Sequence, residues 1–161
     1  MLAEALEHLV QGIVTHPEDV RIRDIVVGAT AHTNNRISQL LVPDVTMSLA
    51  ASFDMLRGAV ERARSKELRG GAKAHVGALF SSDFFYLSPA PVINALAALG
   101  TLAVEMEAAG LYSCALQERA EALAVCTISD QLSGGAADLS SAERETLFAD
   151  AVDVALAGLF A

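Results

Sequence analysis

Tryptophan is absent from this 161-residue chain, and two tyrosines and six phenylalanines supply all its aromatic surface. So few aromatics, against an abundance of alanine, suit packed α/β layers closed by small side chains better than a β-sandwich. Cysteine occurs twice, at Cys114 and Cys126. Neither the number nor the spacing fits a disulfide framework or a zinc site, and both read as buried, reduced thiols. The histidines, His8, His16, His32 and His75, lack metal-ligand spacing and read as surface or turn residues, so no metal is expected. Basic residues number 11 against 20 acidic ones, for a formal charge of −9 and no basic run. Such a chain repels a phosphate backbone, which sets nucleic acid aside as a partner. No apolar run approaches the roughly 20 residues that span a bilayer, and acids interrupt the apolar residues of Met1 to Thr15, unlike a secretory signal. A cytoplasmic protein without membrane contact is the expectation. Neither a P-loop nor a Gly-x-Gly-x-x-Gly fingerprint is present.

What is there is apolar and periodic. Hydrophobic residues make up 53% of the chain, enough at this length for one domain with a real core. Leu2, Leu6, Leu9, Val10 and Ile13 fall at helical spacing before His16-Pro17, which predicts a short amino-terminal helix within residues 1–19. Ile25-Val26-Val27 is a β-branched run that predicts a strand, and Thr33, Asn34, Asn35 and Arg36 predict a surface loop after it. Phe53 to Glu67 carries Leu56, Ala59, Val60 and Ala63 on one face and reads as a helix ended at Arg69-Gly70-Gly71. Beyond it the pattern alternates: strand at Ala74 to Phe80, helix at Val92 to Leu99, strand at Leu102 to Glu105, helix at Ala108 to Glu118, strand at Leu123 to Ile128. A last helix follows, with Ser140 and Glu143 as a capping box and Leu147, Phe148, Ala151, Val154, Ala155 and Leu159 as its buried face. Apolar strands alternating with amphipathic helices imply a largely parallel sheet covered by helices.

Ligands of open α/β sheets gather beyond the carboxyl ends of strands, which singles out three polar clusters. Ser81, Ser82, Asp83, Phe84, Phe85 and Tyr86 follow one strand, Glu105, Met106 and Glu107 another, Ser129 and Asp130 a third. Two carboxylates bracketing a methionine can grip a sugar, because a carboxylate accepts hydroxyl hydrogen bonds while the thioether packs on the apolar ring face. Acids at a helix start equally well complement the helix dipole. Asp130 can be an acid or an ordinary Asx-turn residue.

Taken together, Val104-Glu105-Met106-Glu107-Ala108-Ala109-Gly110-Leu111-Tyr112 and Cys126-Thr127-Ile128-Ser129-Asp130 resemble the two signature segments of the bacterial hexameric purine nucleoside phosphorylases. The likeness extends through Val76 to Tyr86 and Ser140 to Arg144, and more loosely back to Val20-Arg21-Ile22-Arg23-Asp24. The resemblance implies a three-layer α/β sandwich with a mixed, largely parallel sheet. It also implies a cytoplasmic homo-oligomer, in the family a trimer of dimers, that cleaves purine ribonucleosides or deoxyribonucleosides with inorganic phosphate as co-substrate and no other cofactor. By the same resemblance Glu105, Met106 and Glu107 hold the ribose, with Glu107 on its hydroxyls. Phe85, Val104 and Ser129 border the base, with Glu105 near it as well. Asp130 protonates N7 of the purine, and Arg144 swings in from the last helix to poise that proton. Protonating the departing base removes the charge it would otherwise carry as the ribose gains oxocarbenium character.

One part of the family pattern is lacking. The phosphate grip of these enzymes lies mostly in an early Gly-rich loop and an Arg-Val-Gly-Ser-Cys-Gly-like segment. Here Leu9-Val10-Gln11-Gly12-Ile13-Val14 stands where the latter should fall, with neither its cation nor its hydroxyl. The phosphate residues are therefore unknown, with Arg21, Arg23 and Arg36 the cations at hand. The expected organisation is one nucleoside phosphorylase-like domain over residues 1–161, family-like from 20 to 161, atypical over 1–19, truncated at its amino end and a poor phosphorylase as it stands. Hydrolysis of the methylthioadenosine nucleosidase type and a non-catalytic, nucleoside-binding or assembly fragment are the alternatives.

Overall fold

Ile25–Val27 and Leu123–Ile128 are buried on both faces of their strands, and that decides the architecture. A computed structural model describes residues 6–14, 20–84, 90–131 and 141–161, with the side chains of residues 6–14, 131 and 141–147 left aside. Its strands are β1 (Leu6–Val14), β2 (Ile25–Thr33), β3 (Ala74–Ser81), β4 (Thr101–Glu105) and β5 (Ala122–Gln131). Its helices are α1 (Ile37–Leu41), α2 (Phe53–Ser65), α3 (Ala90–Ala98), α4 (Ala108–Glu118) and α5 (Ser141–Leu159), with a 3-10 turn at Arg69–Gly71.

Alternate residues of one strand feed opposite layers. Val26 of β2 and Ala124, Cys126 and Ile128 of β5 pack with Ala108, Ala109, Tyr112 and Ala115 of α4. Ile25 and Val27, with Leu123 and Val125, pack instead with Met55 and Ala59 of α2 and Ala151, Val154 and Ala155 of α5. The sheet is thus the middle of three layers. Helices α2 and α5 approach closely at Gly58, where a Cβ would lie 2.4 Å from that of Ala161.

The sheet is mixed and mostly parallel: β2 with β3, β3 with β4 and β1 with β5 are parallel, whereas β1 with β4 and β2 with β5 are antiparallel. These pairings close on themselves in the order β1-β4-β3-β2-β5. The α/β class and the order of elements from Ile25 onward agree with the sequence-based expectation, apart from the short helix α1, which was not expected after the Thr33–Arg36 loop. The amino-terminal helix does not. Leu6–Val14 is a strand, paired along its length with β5 and at Ile13 and Val14 with β4. β-Branched Val10, Ile13 and Val14 and an interior Gly12 weaken a helix there, and two ladders of backbone hydrogen bonds outweigh its apolar periodicity.

Two smaller expectations are also corrected. Cys126 is buried, but Cys114 is exposed, because the face of α4 that meets the sheet carries Tyr112 and Ala115. On the last helix Ala151, Val154 and Ala155 are buried as expected, whereas Leu159 is partly exposed near the chain's end. The capping box at Ser140 and Glu143 lies outside the described residues and side chains.

Candidate active site

Strand register gathers the polar clusters. Thr33 of β2 pairs with Ser81 of β3, and Ser81 with Glu105 of β4, so the carboxyl ends of three parallel strands lie side by side. The loops beyond them are tied together. The Asn35 side-chain amide donates to Asp83 Oδ1 at 2.9 Å, and the Asp83 backbone N–H donates to Asn34 Oδ1 at 3.2 Å.

Asp130 arrives by a different route, since β5 is antiparallel to β2. Ile13 of β1 is the Cα partner of both Val104 and Asp130. The acid at the end of β5 is thereby set one strand away from the Glu105-Met106-Glu107 junction. Neighbouring strands are about 4.8 Å apart, so the two backbones are separated by roughly 10 Å, with β1 between them. Ser129, buried, donates its hydroxyl to Asp130 Oδ2.

At the junction itself the three residues differ sharply. Glu105 is 3% exposed. Its Oε1 accepts from the Ser81 hydroxyl, and its Oε2 accepts the backbone N–H groups of Glu107 at 2.7 Å and Ala108 at 2.6 Å. Its carboxylate is committed to the start of α4, where unpaired amides and the helix dipole favour a negative charge. Met106 and Glu107, by contrast, face outward, and Glu107 Oε2 accepts a 3.2 Å contact from the Met106 N–H. Of the trio assigned to the ribose, Glu105 is the buried member, with both of its oxygens engaged by protein donors. Val104, assigned to the base, packs into a small apolar cluster with Phe80 and Ile93. Phe85 lies outside the described residues, and Arg144 sits on α5 with a side chain that is not described.

Beneath the junction, Tyr112 of α4 is fully buried and bridges two strands. Its hydroxyl donates to the Gly28 carbonyl and accepts from the Ala124 N–H at 3.1 Å. Burial pushes its phenol above the ordinary tyrosine value, as it does the nearby Cys126 thiol. Both stay protonated at neutral pH.

Ser81 is the residue that sequence reasoning noticed without a role. Its hydroxyl accepts the Ala109 N–H at 2.8 Å while donating to Glu105. Only the β3–β4 register reveals that contact. Of the cations considered for phosphate, Arg23 adopts a left-handed φ of 83° beside the buried Asp24. Its guanidinium lies near Gly70, with Nη1 3.9 Å from where a Cβ would stand. Among the described residues no group of three His, Cys, Asp or Glu side chains is placed to hold a metal ion, and no helix is long and apolar enough to cross a membrane.

The fold and the site thus combine a three-layer α/β unit with an acid, methionine and acid at one strand end and a Ser-Asp pair across one strand. The chain matches the phosphorylase superfamily over residues 13–160 and belongs to it. It is 40% identical over 139 residues to the DeoD-type purine nucleoside phosphorylase of Yersinia enterocolitica, covering 86% of this chain and 56% of that protein. The namesake from Pectobacterium atrosepticum is 38% identical over the same shares. The one from Hahella chejuensis is 42% identical, covering 86% of this chain and 57% of that protein. The chain therefore spans a little over half the length of the curated relatives it matches.

Proposed function

We propose that this chain carries the nucleoside half of a purine nucleoside phosphorylase site, cleaving purine ribonucleosides or deoxyribonucleosides with phosphate to free base and sugar 1-phosphate. The observation that carries the reading is the placement of Asp130 across one strand from outward-facing Met106 and Glu107. In this reading Glu107 accepts the ribose hydroxyls and Met106 lines the sugar. Ser129 orients Asp130, which gives its proton to N7 of the departing purine. Arg144 poises that transfer, and Phe85 stacks on the base. A carboxyl at this position serves 6-amino and 6-oxo purines alike, since it donates to N7 in both.

Phosphate is the nucleophile and needs convergent cationic or hydroxyl donors against the anomeric carbon. Leu9–Val14, at the family's phosphate segment, supplies neither, so turnover by this chain alone is expected to be slow. The reading also makes the protein a cytoplasmic homo-oligomer. Exposed Leu40, Phe53, Leu99 and Phe160 are apolar surface that such an assembly would cover, and sedimentation gives its size.

The deciding experiment incubates the purified chain with inosine or adenosine, with and without phosphate, and follows base release and the sugar product. Phosphate-dependent release with ribose 1-phosphate supports the proposal. Release of free ribose without phosphate makes the site a hydrolase. Failure to bind or cleave any purine nucleoside refutes the assignment.

A further inference from the structure

Ser81 and Glu105 form a single buried clamp on the first turn of α4, each 3% exposed. Between them they accept three consecutive amides: Glu107 and Ala108 on Glu105 Oε2, Ala109 on Ser81 Oγ. The Ser81 hydroxyl then donates to Glu105 Oε1 and joins the two acceptors. Upstream, the Glu105 carbonyl accepts the Ser82 N–H at 2.8 Å, which holds the end of β4 to β3. Downstream, the Glu107 carbonyl accepts the Leu111 N–H at 2.9 Å and starts the helix. The peptide carrying Met106 and Glu107 is therefore anchored on both sides, while those two side chains are left outside.

Such an arrangement exceeds what capping a helix requires. One Ser, Thr, Asp or Asn at the N-cap position satisfies the usual orphan amide. Here the acceptors come from two different strands, so the clamp fixes the junction relative to the sheet as well as closing the helix. We propose that Ser81 and Glu105 are positioning residues that set the pose of Met106 and Glu107 towards the sugar, without touching the substrate themselves. The inference rests on the reading of Glu107 as the ribose acceptor. A carboxylate that must meet vicinal hydroxyls tolerates little displacement, and a misplacement of about 1 Å at a reacting centre can cost about 10²-fold.

The test compares the unaltered chain with Ser81→Ala, Ser81→Thr and Glu107→Ala by two readouts: amide hydrogen exchange at residues 107–109 and inosine affinity by calorimetry. Ser81→Ala is expected to lose protection at the Ala109 amide and to weaken inosine binding by about 10- to 10²-fold, while circular dichroism shows the fold kept. Ser81→Thr, which restores the hydroxyl, should restore both. Should Ser81→Ala unfold the chain, the same pair of readouts on Glu105→Leu, which leaves no acceptor, decides, with loss at the Glu107 and Ala108 amides expected. Unchanged protection in a folded variant overturns the clamp. Lost protection with unchanged affinity, while Glu107→Ala abolishes binding, overturns the positioning role. If the unaltered chain does not bind inosine, or Glu107→Ala binds as it does, the nucleoside reading fails with the inference built on it, and that failure is visible without any change at Ser81.

Discussion

Replacing Tyr112 by phenylalanine removes one oxygen from the centre of the protein and leaves the volume nearly unchanged. Tyr112 is fully buried on α4, and its hydroxyl sits between the Gly28 carbonyl of β2 and the Ala124 N–H of β5. Gly28 and Ala124 are Cα partners at the end of the β2–β5 ladder, and the hydroxyl bridges a backbone group of each strand. Glycine is needed at 28, since a Cβ there would meet Leu79 Cδ1 at 2.5 Å and the Tyr112 hydroxyl oxygen at 3.1 Å. Each buried backbone group left without a partner costs about 1–3 kcal/mol, so two of them set an upper range of ~2–6 kcal/mol. Strand closure that lets the pair bond directly would recover about 1 kcal/mol, and phenylalanine is spared the cost of burying a hydroxyl. The expected net loss for Tyr112→Phe is therefore about 1–4 kcal/mol, a large share of a typical domain's ~5–15 kcal/mol. Urea unfolding followed by far-ultraviolet circular dichroism measures it, with the slope unchanged and the midpoint lowered. A loss below about 0.5 kcal/mol would refute the reasoning, because it would mean that the hydroxyl satisfies nothing the strands cannot satisfy alone.

Other expectations concern single residues. Asp130→Asn should lower cleavage of adenosine more than of inosine, by about 10²–10⁴-fold for the lost acid, and equal small losses would place the proton donor elsewhere. Gly58→Ala gains about 1 kcal/mol of helix propensity. It also sets a Cβ 2.7 Å from the Ala157 carbonyl, and overpacking costs ~1–3 kcal/mol; the variant should melt below the parent, and a higher melting point would show that α2 and α5 separate freely. Asp153 is held down to about 2 by its hydrogen bonds from Arg62 and Lys66. Asp150 is also held low: burial opposes this, but the Arg69 N–H and the Lys66 ammonium prevail. Since both folded values lie below the unfolded ~3.9, this stabilisation is complete above that pH and is lost as pH falls towards 2. Lys66→Met should thus be destabilising at pH 6 and nearly neutral near pH 2, as measured by urea titration at each pH; an equal deficit at both would exclude the ion pairs as its cause.

The elements that sequence reasoning placed well are those whose pattern has one solution. Ala108–Glu118 begins after two acids and ends before Arg119, which takes a left-handed φ of 54°. β2 and β5 supply apolar residues to both layers, and an unbroken β-branched run is how such a strand reads. Leu6–Val14 was ambiguous because its leucines satisfy a helical period while its β-branched residues favour a strand. What decides between them is β5, at the far end of the chain. Glu105 was open for the same kind of reason. An acid at a strand end looks alike whether it faces a ligand or a helix start, and only the neighbouring Ser81 shows that its oxygens are occupied. The division between Glu105 inside and Glu107 outside is a fact of register, which spacing alone does not encode.

The closure of the sheet through β1 has a consequence for how the chain comes to be folded. Leu6 pairs with Ala122 and Val14 with Gln131, so β1 completes its longer ladder only with β5, which is made after β2, β3 and β4. Until then β1 has only its brief antiparallel contact with β4 to hold it. Such long-range pairing must bear its loop-closure entropy before any contact compensates for it, which slows folding and prolongs the exposure of unpaired strand edges. During synthesis Leu6–Val14 is thus an apolar segment waiting for a partner, and a neighbouring copy's β5 would serve as well as its own. Expression level and temperature, through that competition, should govern how much of this protein is recovered as folded monomeric units and how much as strand-exchanged aggregates.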